Sequence, residues 1–304
     1  MRIVVIGSGA IGSLYGGWLL AAGGTVAFVA RGVRFQQLKR DGLVIKSERD
    51  LVFPSVDVTQ DATELPPADV LIFAVKLYDL VSAARAAAGA LAPGGLVVGL
   101  QNGVEAAEML ATIFDPTQVM VGPAYSAATL ERDGVVRHKG GRNDVAIGRM
   151  GGAAHLHAER LVELWRKAGV DASISDDIRT TLWTKFLFLA TNAALTCLAR
   201  QPAGVVYHDP LLLDLAERSI TEIAAIAEAE GVRLAPDARA EALAILRNFP
   251  PDVVASMRQD LDAGRRLELE GISGTIVRLG REHGLPTPVH DVAYACLKPF
   301  VDGR

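Results

Sequence analysis

Three glycines spaced G-x-G-x-x-G, Gly7, Gly9 and Gly12, follow directly on the apolar run Ile3-Val4-Val5-Ile6. A β-branched run that is apolar on both faces reads as a buried parallel strand. The glycines then turn the chain into a helix, expected over residues 13–22. Gly7 permits the tight turn, Gly9 lets a pyrophosphate approach the backbone, and Gly12 brings helix and strand close. A second apolar run over 25–30 completes a βαβ pattern. The expected ligand is a dinucleotide held by Gly7, Ser8, Gly9, Ala10, Ile11 and Gly12. Its phosphates would face the N–H groups and the positive dipole end of the helix.

The second strand ends at Arg31, with Arg34 one turn further on. An NAD site carries a carboxylate near this point to hold the ribose 2′-hydroxyl. A guanidinium takes a 2′-phosphate instead, through paired charge-assisted hydrogen bonds. The cofactor expected here is therefore NADP, as NADPH. A third core strand over 70–75 ends at Lys76, an alanine-rich helix is expected over 79–91, and a strand over 96–100 ends at Gln101-Asn102-Gly103. Ligands of such sheets bind beyond the carboxyl ends of the strands, which makes Lys76 and Asn102 candidates for the site. Three alternating segments over 119–122, 134–138 and 144–148 are expected to extend the same sheet. A helix over 154–168 and a strand over 170–174 close the domain.

Past Asp177 no strand pattern remains. Helices are expected over 178–200, 211–230, 236–247, 253–282 and 289–300, punctuated by Gly231, Pro250-Pro251, Gly284, Pro286 and Pro288. The fold class is thus an α/β Rossmann-type N-terminal domain with a mostly parallel sheet, residues 1–177, followed by an all-α domain, residues 178–304. A cleft between such domains is where small-molecule sites tend to lie.

Composition narrows the partners. In 304 residues, 31 basic against 35 acidic side chains give a net charge of −4 with no basic stripe, so neither nucleic acid nor an anionic membrane is expected. No apolar stretch of the roughly 18 residues that cross a bilayer is read from the sequence. The N-terminal run lacks a signal-peptide cleavage site, and a cytoplasmic location is expected. Cys197 and Cys296 form no metal spacing and no disulfide framework, and the six histidines form no ligand pair; no metal is assigned.

With Lys76, Gln101-Asn102-Gly103, Lys185 and the stretch 256–268 in view, the chain resembles the ketopantoate reductases over nearly its whole length. The resemblance implies reduction of an α-keto acid by NADPH, as 2-dehydropantoate is reduced to pantoate in pantothenate biosynthesis. It implies cofactor contacts from the glycines, Arg31, Lys76 and Asn102. The family's catalytic lysine matches Lys185 in Leu182-Trp183-Thr184-Lys185, on the first helix of the second domain. Its substrate-binding serine and glutamate match Ser256 and Glu268, with Asn102 as a further substrate contact.

The chain departs from the family pattern within the substrate set. Asparagines usual four and eight residues after the lysine are Leu189 and Ala193, with Asn192 one residue away; a third is Val253, and the threonine before the glutamate is Leu267. These changes predict a less polar pocket, with Asn192 taking part. They leave open a paralogue acting on another 2-oxo acid or ketone. A non-catalytic NADPH-binding protein is the second alternative, in which Lys185 is incidental. A third is a 6-phosphogluconate or 3-hydroxyacyl dehydrogenase relative, against which Arg31 and the 256–268 segment argue. The apolar helical domain makes a homodimer plausible.

Residue by residue, the chemistry needs a proton donor at a carbonyl oxygen. An ammonium on a helix otherwise apolar around it, with Leu182, Phe186, Leu187 and Leu189 as neighbours, suits that task. Glu268 taken alone reads as a solvated carboxylate on a helix, and Ser256 as an ordinary polar residue near a helix start.

Overall fold

A computed structural model of the chain describes residues 1–139, 143–151 and 155–303. They divide into two compact units, Met1–Ile178 and Arg179–Arg304.

The first unit is built on β1 (Arg2–Ile6), β2 (Thr25–Val29), β5 (Asp57–Thr59), β6 (Ala68–Phe73), β7 (Leu91–Gly99) and β8 (Val119–Val121). They form one six-stranded sheet in the order β5-β2-β1-β6-β7-β8, every neighbouring pair parallel. Ile3, Val4 and Val5 of β1 and Val70, Leu71, Ile72 and Phe73 of β6 are completely buried, which is why the two most apolar runs occupy the middle. From β1 the chain passes to β2 on one side and later to β6 on the other. The carboxyl end of β1 is therefore the switch point where such sheets bind ligands.

Helix α1 (Ala10–Ala21) starts three residues before the expected 13, with Gly9 as its N-cap. Next comes α2 (Gly32–Asp41), which sequence patterning did not reveal, since Leu38 is its one buried residue. The alanine-rich helix is shorter than expected: α3 (Leu80–Ala87) is flanked by 3-10 turns at Leu77–Asp79 and Ala88–Ala90. A short α4 (Ala106–Ala111) leads to β8.

The three alternating segments extend the sheet only in part: β8 joins it as a full strand, the segment ending at Gly148 reaches it through antiparallel bridges, Val121 with Gly148 and Ala124 with Val145, and the 134–138 segment goes elsewhere. A second sheet has the order β4-β3-β10-β9, made of β3 (Leu43–Lys46), β4 (Leu51–Phe53), β9 (Ala128–Leu130) and β10 (Val136–His138). There β10 pairs in parallel with β3, some ninety positions earlier, and antiparallel with β9. The third segment, β11 (Asp144–Ile147), pairs in parallel with β12 (Asp171–Ile174). Alternation identifies a half-buried strand but not its partner. Helix α5 (Leu156–Lys167) packs Trp165, fully buried, beneath α1, where its indole N–H donates to the Tyr15 carbonyl. The expected first residue of α5, Ala154, lies outside the described residues.

The second unit is helical: α6 (Ile178–Ala199), α7 (Ala203–Val206), α8 (Pro210–Ala229), α9 (Ala238–Arg247), α10 (Ser256–Asp262), α11 (Thr275–His283) and α12 (Pro288–Leu297). Local chemistry sets the starts. Asp209 accepts from the N–H groups of Leu211 and Leu212, and Pro210 takes the first helical position of α8, a cap that contributes about 1 kcal/mol. Glu222 of α8 caps α12 from outside, accepting from Val289 N–H at 2.8 Å and His290 N–H at 3.2 Å.

Two sequence expectations need correction here. The helix expected over 253–282 is three pieces: α10, then a non-helical stretch, then a π turn (Glu270–Gly274) running into α11. Helix α6 is also long and apolar enough to cross a bilayer by length and composition, contrary to the reading that no stretch qualifies. However, 72% of its most apolar window is buried inside the protein, as a core helix would be.

Candidate active site

The glycine turn is fixed by sterics. Gly7 has φ +96, and its N–H donates to the Val29 carbonyl at 3.2 Å. A Cβ on Gly12 would stand 2.0 Å from the Gly7 carbonyl oxygen, closer than any pair of atoms tolerates. Gly12 thus permits the close approach of α1 to the turn. A Cβ on Gly9, by contrast, would meet nothing within 4 Å.

Gly9 borders a cavity of about 560 Å³ that also touches Gly7, Ser8, Ala30, Arg31, Arg34, Asp61, Ala83 and Leu130. That volume is within the range of small-molecule sites, about 300–1,000 Å³. No side chain caps α1, and no acidic residue occupies its first turn, which leaves the positive end of its dipole without a carboxylate of its own. The donor set fits a phosphorylated dinucleotide: backbone amides at a helix start, an open glycine, and two guanidinium groups. Ala10, Ile11 and Gly12, in the first turn of α1, are not among the residues that line the cavity.

Arg31 is exposed at the end of β2 and is the N-cap of α2. Asp61 lies across the cavity. Its carboxylate is held below the usual range by hydrogen bonds from the Thr63 N–H and hydroxyl, and by the charge of Arg31. Arg34 is the group that sequence reading noticed without giving it a role. Its Nε donates to the Ser8 carbonyl at 2.9 Å, Nη2 to Ser13 Oγ at 2.9 Å, and Nη1 to the Gly134 carbonyl at 2.8 Å. Burial holds its guanidinium down at about 10. Ser8 itself is buried, its hydroxyl donating to the Val29 carbonyl, so its side chain faces β2.

Lys76 and Asn102 stand in the turns after β6 and β7, both half-buried and outside the wall of this cavity. Gln101 ties the two turns together: its Nε2 donates to the Phe73 carbonyl at 2.8 Å and the Val75 carbonyl at 3.2 Å. Its Oε1 is buried with no hydrogen-bond partner. Gln101 is a positioning residue that sequence reading quoted only as part of a turn.

In the second unit, Lys185 is 8% exposed on α6, and Asn192, two turns on, is equally buried. Asn192 Oδ1 accepts a hydrogen bond from Tyr207. Glu268 is only 5% exposed. It belongs to the non-helical stretch before the π turn rather than to a helix, so the sequence picture of a solvated helical carboxylate is corrected. Ser256, the first residue of α10, is exposed. At the positions that depart from the family pattern, Ala193 and Leu267 are buried, and Leu189 and Val253 are half-buried.

The family profile described as "Ketopantoate reductase PanE/ApbA" matches residues 3–152, and "Ketopantoate reductase PanE/ApbA C terminal" matches residues 177–301. A 2-dehydropantoate 2-reductase of Halobacterium salinarum is 34% identical over 293 residues, covering 95% of each chain. The crystal structure of a PanE/ApbA family ketopantoate reductase from Ralstonia eutropha JMP134 has a TM-score of 0.90 at 32% identity, covering 99% of this chain and 98% of that one. A D-mandelate dehydrogenase solved with NADH and anilino(oxo)acetate shares the fold, with a TM-score of 0.89 at 22% identity over 99% and 98% of the two chains.

Proposed function

The chain belongs to the ketopantoate reductase family, and on that footing we propose that it reduces a 2-oxo acid to the 2-hydroxy acid with NADPH, as in the conversion of 2-dehydropantoate to pantoate. The observation that carries the reading is Lys185, an ammonium kept 8% exposed on an apolar helix. Bound NADPH supplies the hydride that adds to the carbonyl carbon. Lys185 stabilises the charge growing on the carbonyl oxygen and gives it a proton. Glu268 and Ser256 hold the substrate, Asn102 orients it, and Asn192 adds a polar contact. Residues 1–177 form the NADP-binding domain: the glycine turn and the start of α1 take the pyrophosphate, Arg31 takes the 2′-phosphate, and Lys76 and Asn102 complete the cofactor contacts. Residues 178–304 form the substrate and catalytic domain.

Leu189, Ala193, Val253 and Leu267 favour a second reading of the substrate, a more apolar 2-oxo acid than ketopantoate. Apolar pockets discriminate weakly, by about 1–3 kcal/mol per methylene, so such an enzyme would accept several related acids. The test is NADPH consumption with a panel of 2-oxo acids that includes ketopantoate. Exclusive, efficient turnover of ketopantoate would leave the first reading alone; no turnover of any member would leave a binding protein. The reaction fits a cytoplasmic protein. A homodimer built on the helical domain, where Leu211 and Val292 are exposed, is checked by light scattering.

A further inference from the structure

Arg34 sits where helix electrostatics disfavour a cation. With Arg31 as N-cap, Arg34 is the third residue of α2, inside its first turn. The N-terminal end of a helix carries positive partial charge and stabilises anions. The first turn of α2 holds no acidic residue, and no side chain caps it. The arginine is also half-buried, a second cost for a charge. No carboxylate offsets either cost. Its three protein partners are two backbone carbonyls and a hydroxyl, and among the described residues it makes no ion pair. Arg31 makes none either.

A bound anion removes all of these penalties together. Side chains lean toward the N-terminus of their helix, and Arg34 and Arg31 both line the cavity that Gly9 borders. Three of the five guanidinium N–H groups are engaged, and two remain for a ligand. The three engaged groups form a mount. They tie Arg34 to the glycine turn through Ser8, to α1 through Ser13 and to the β9–β10 turn through Gly134. Gln37 of α2 adds a fourth tie, donating to the Arg132 carbonyl in the same turn at 2.9 Å. A cation so fixed loses little freedom when it meets its ligand.

We propose that Arg34 is a second specificity-determining residue of the cofactor site, acting with Arg31 on the 2′-phosphate that distinguishes NADPH from NADH. The proposal rests on the NADPH reading above. The rival role is a strut that shapes the turn and touches no phosphate.

Titration of the full-length protein with NADPH and with NADH, followed by nicotinamide fluorescence, separates the two. Wild type should bind NADPH more tightly than NADH; if it does not, the NADPH reading itself fails. Arg34→Gln should weaken NADPH at least ten-fold more than NADH and flatten the salt dependence of NADPH binding. A strut would weaken both cofactors by the same factor, and an unchanged affinity ratio overturns the proposal. Should Arg34→Gln not fold, Arg34→Lys keeps the charge and gives up the forked geometry. It should still weaken NADPH about three-fold more than NADH, and an unchanged ratio there overturns the proposal equally.

Discussion

The Tyr207 hydroxyl donates to Oδ1 of Asn192 at 3.0 Å, with both side chains buried. The bond joins the residue after α7 to the helix that carries Lys185. It fixes which end of the Asn192 amide faces Tyr207, because a carboxamide oxygen accepts and its nitrogen donates. Burial alone pushes the Tyr207 hydroxyl far above its usual pKa, so it remains a donor at every working pH. Tyr207→Phe leaves a buried oxygen without its donor. The expected cost is about 1–2 kcal/mol, seen as a fall in Tm of about 2–6 °C. If Asn192 contacts substrate, the KM for the 2-oxo acid should rise while the Kd for NADPH stays put.

Arg31→Ala tests the first arginine of the pair. A charge-assisted hydrogen bond is worth about 1.5–3 kcal/mol, and exposure places Arg31 at the low end. NADPH should therefore lose about ten-fold in affinity and NADH far less, as read by equilibrium titration. Equal losses would mean that Arg31 does not meet the 2′-phosphate.

Lys185→Ala should lower kcat by about 10²–10⁴-fold, the usual range for a positioned proton donor, with NADPH affinity nearly unchanged because the proposed cofactor contacts all lie in the first unit. Glu268→Gln should act mainly on KM. Near wild-type turnover by Lys185→Ala in a steady-state assay would remove it from the catalytic role.

His290 offers a prediction about pH. Its Nε2 meets Ser219 Oγ at 2.9 Å and its Nδ1 meets Ser273 Oγ at 3.2 Å. Complete burial lowers its pKa from 6.5 to about 3. The unfolded chain takes up a proton on this histidine below about 6.5, and the folded chain does not. The contribution of His290 to stability is thus complete above 6.5 and declines as pH falls toward 3. His290→Gln should be less stable at neutral pH, and its Tm should fall less steeply than that of wild type between about pH 7 and pH 4 in thermal melts.

The glycine turn was readable because its constraint is local: strand, turn and helix lie within twenty residues, and sterics at Gly7 and Gly12 admit little else. Lys185 stood out for the same kind of reason, as a charge set among Leu182, Trp183, Phe186 and Leu187. Other features depend on distant partners. Helix α2 shows no amphipathic stripe because most of it faces solvent, and its role emerges only through Arg34 and Gln37 reaching a turn a hundred residues away. Strand β10 has the alternation of an edge strand of the main sheet, yet it pairs with β3. Glu268 reads as a surface carboxylate until α10 ends early and the π turn begins, and neither break leaves a Pro or an uninterrupted Gly run at the boundary. The tie made by Gln101 was equally hidden, since its acceptors are backbone carbonyls that no sequence pattern marks.

The π turn at Glu270–Gly274 makes this stretch sensitive to length rather than to composition. A π turn holds an extra residue within the rise of an α turn, so removing one residue there would let the backbone close as ordinary α-helix and leave α11 in its place. Everything before the turn would then rotate by about 100° relative to α11. Glu268 would be carried off its buried position while the hydrophobic contacts of α11 were kept. A single-codon deletion is therefore a route by which a relative of this chain could replace the carboxylate at this buried position without disturbing the core.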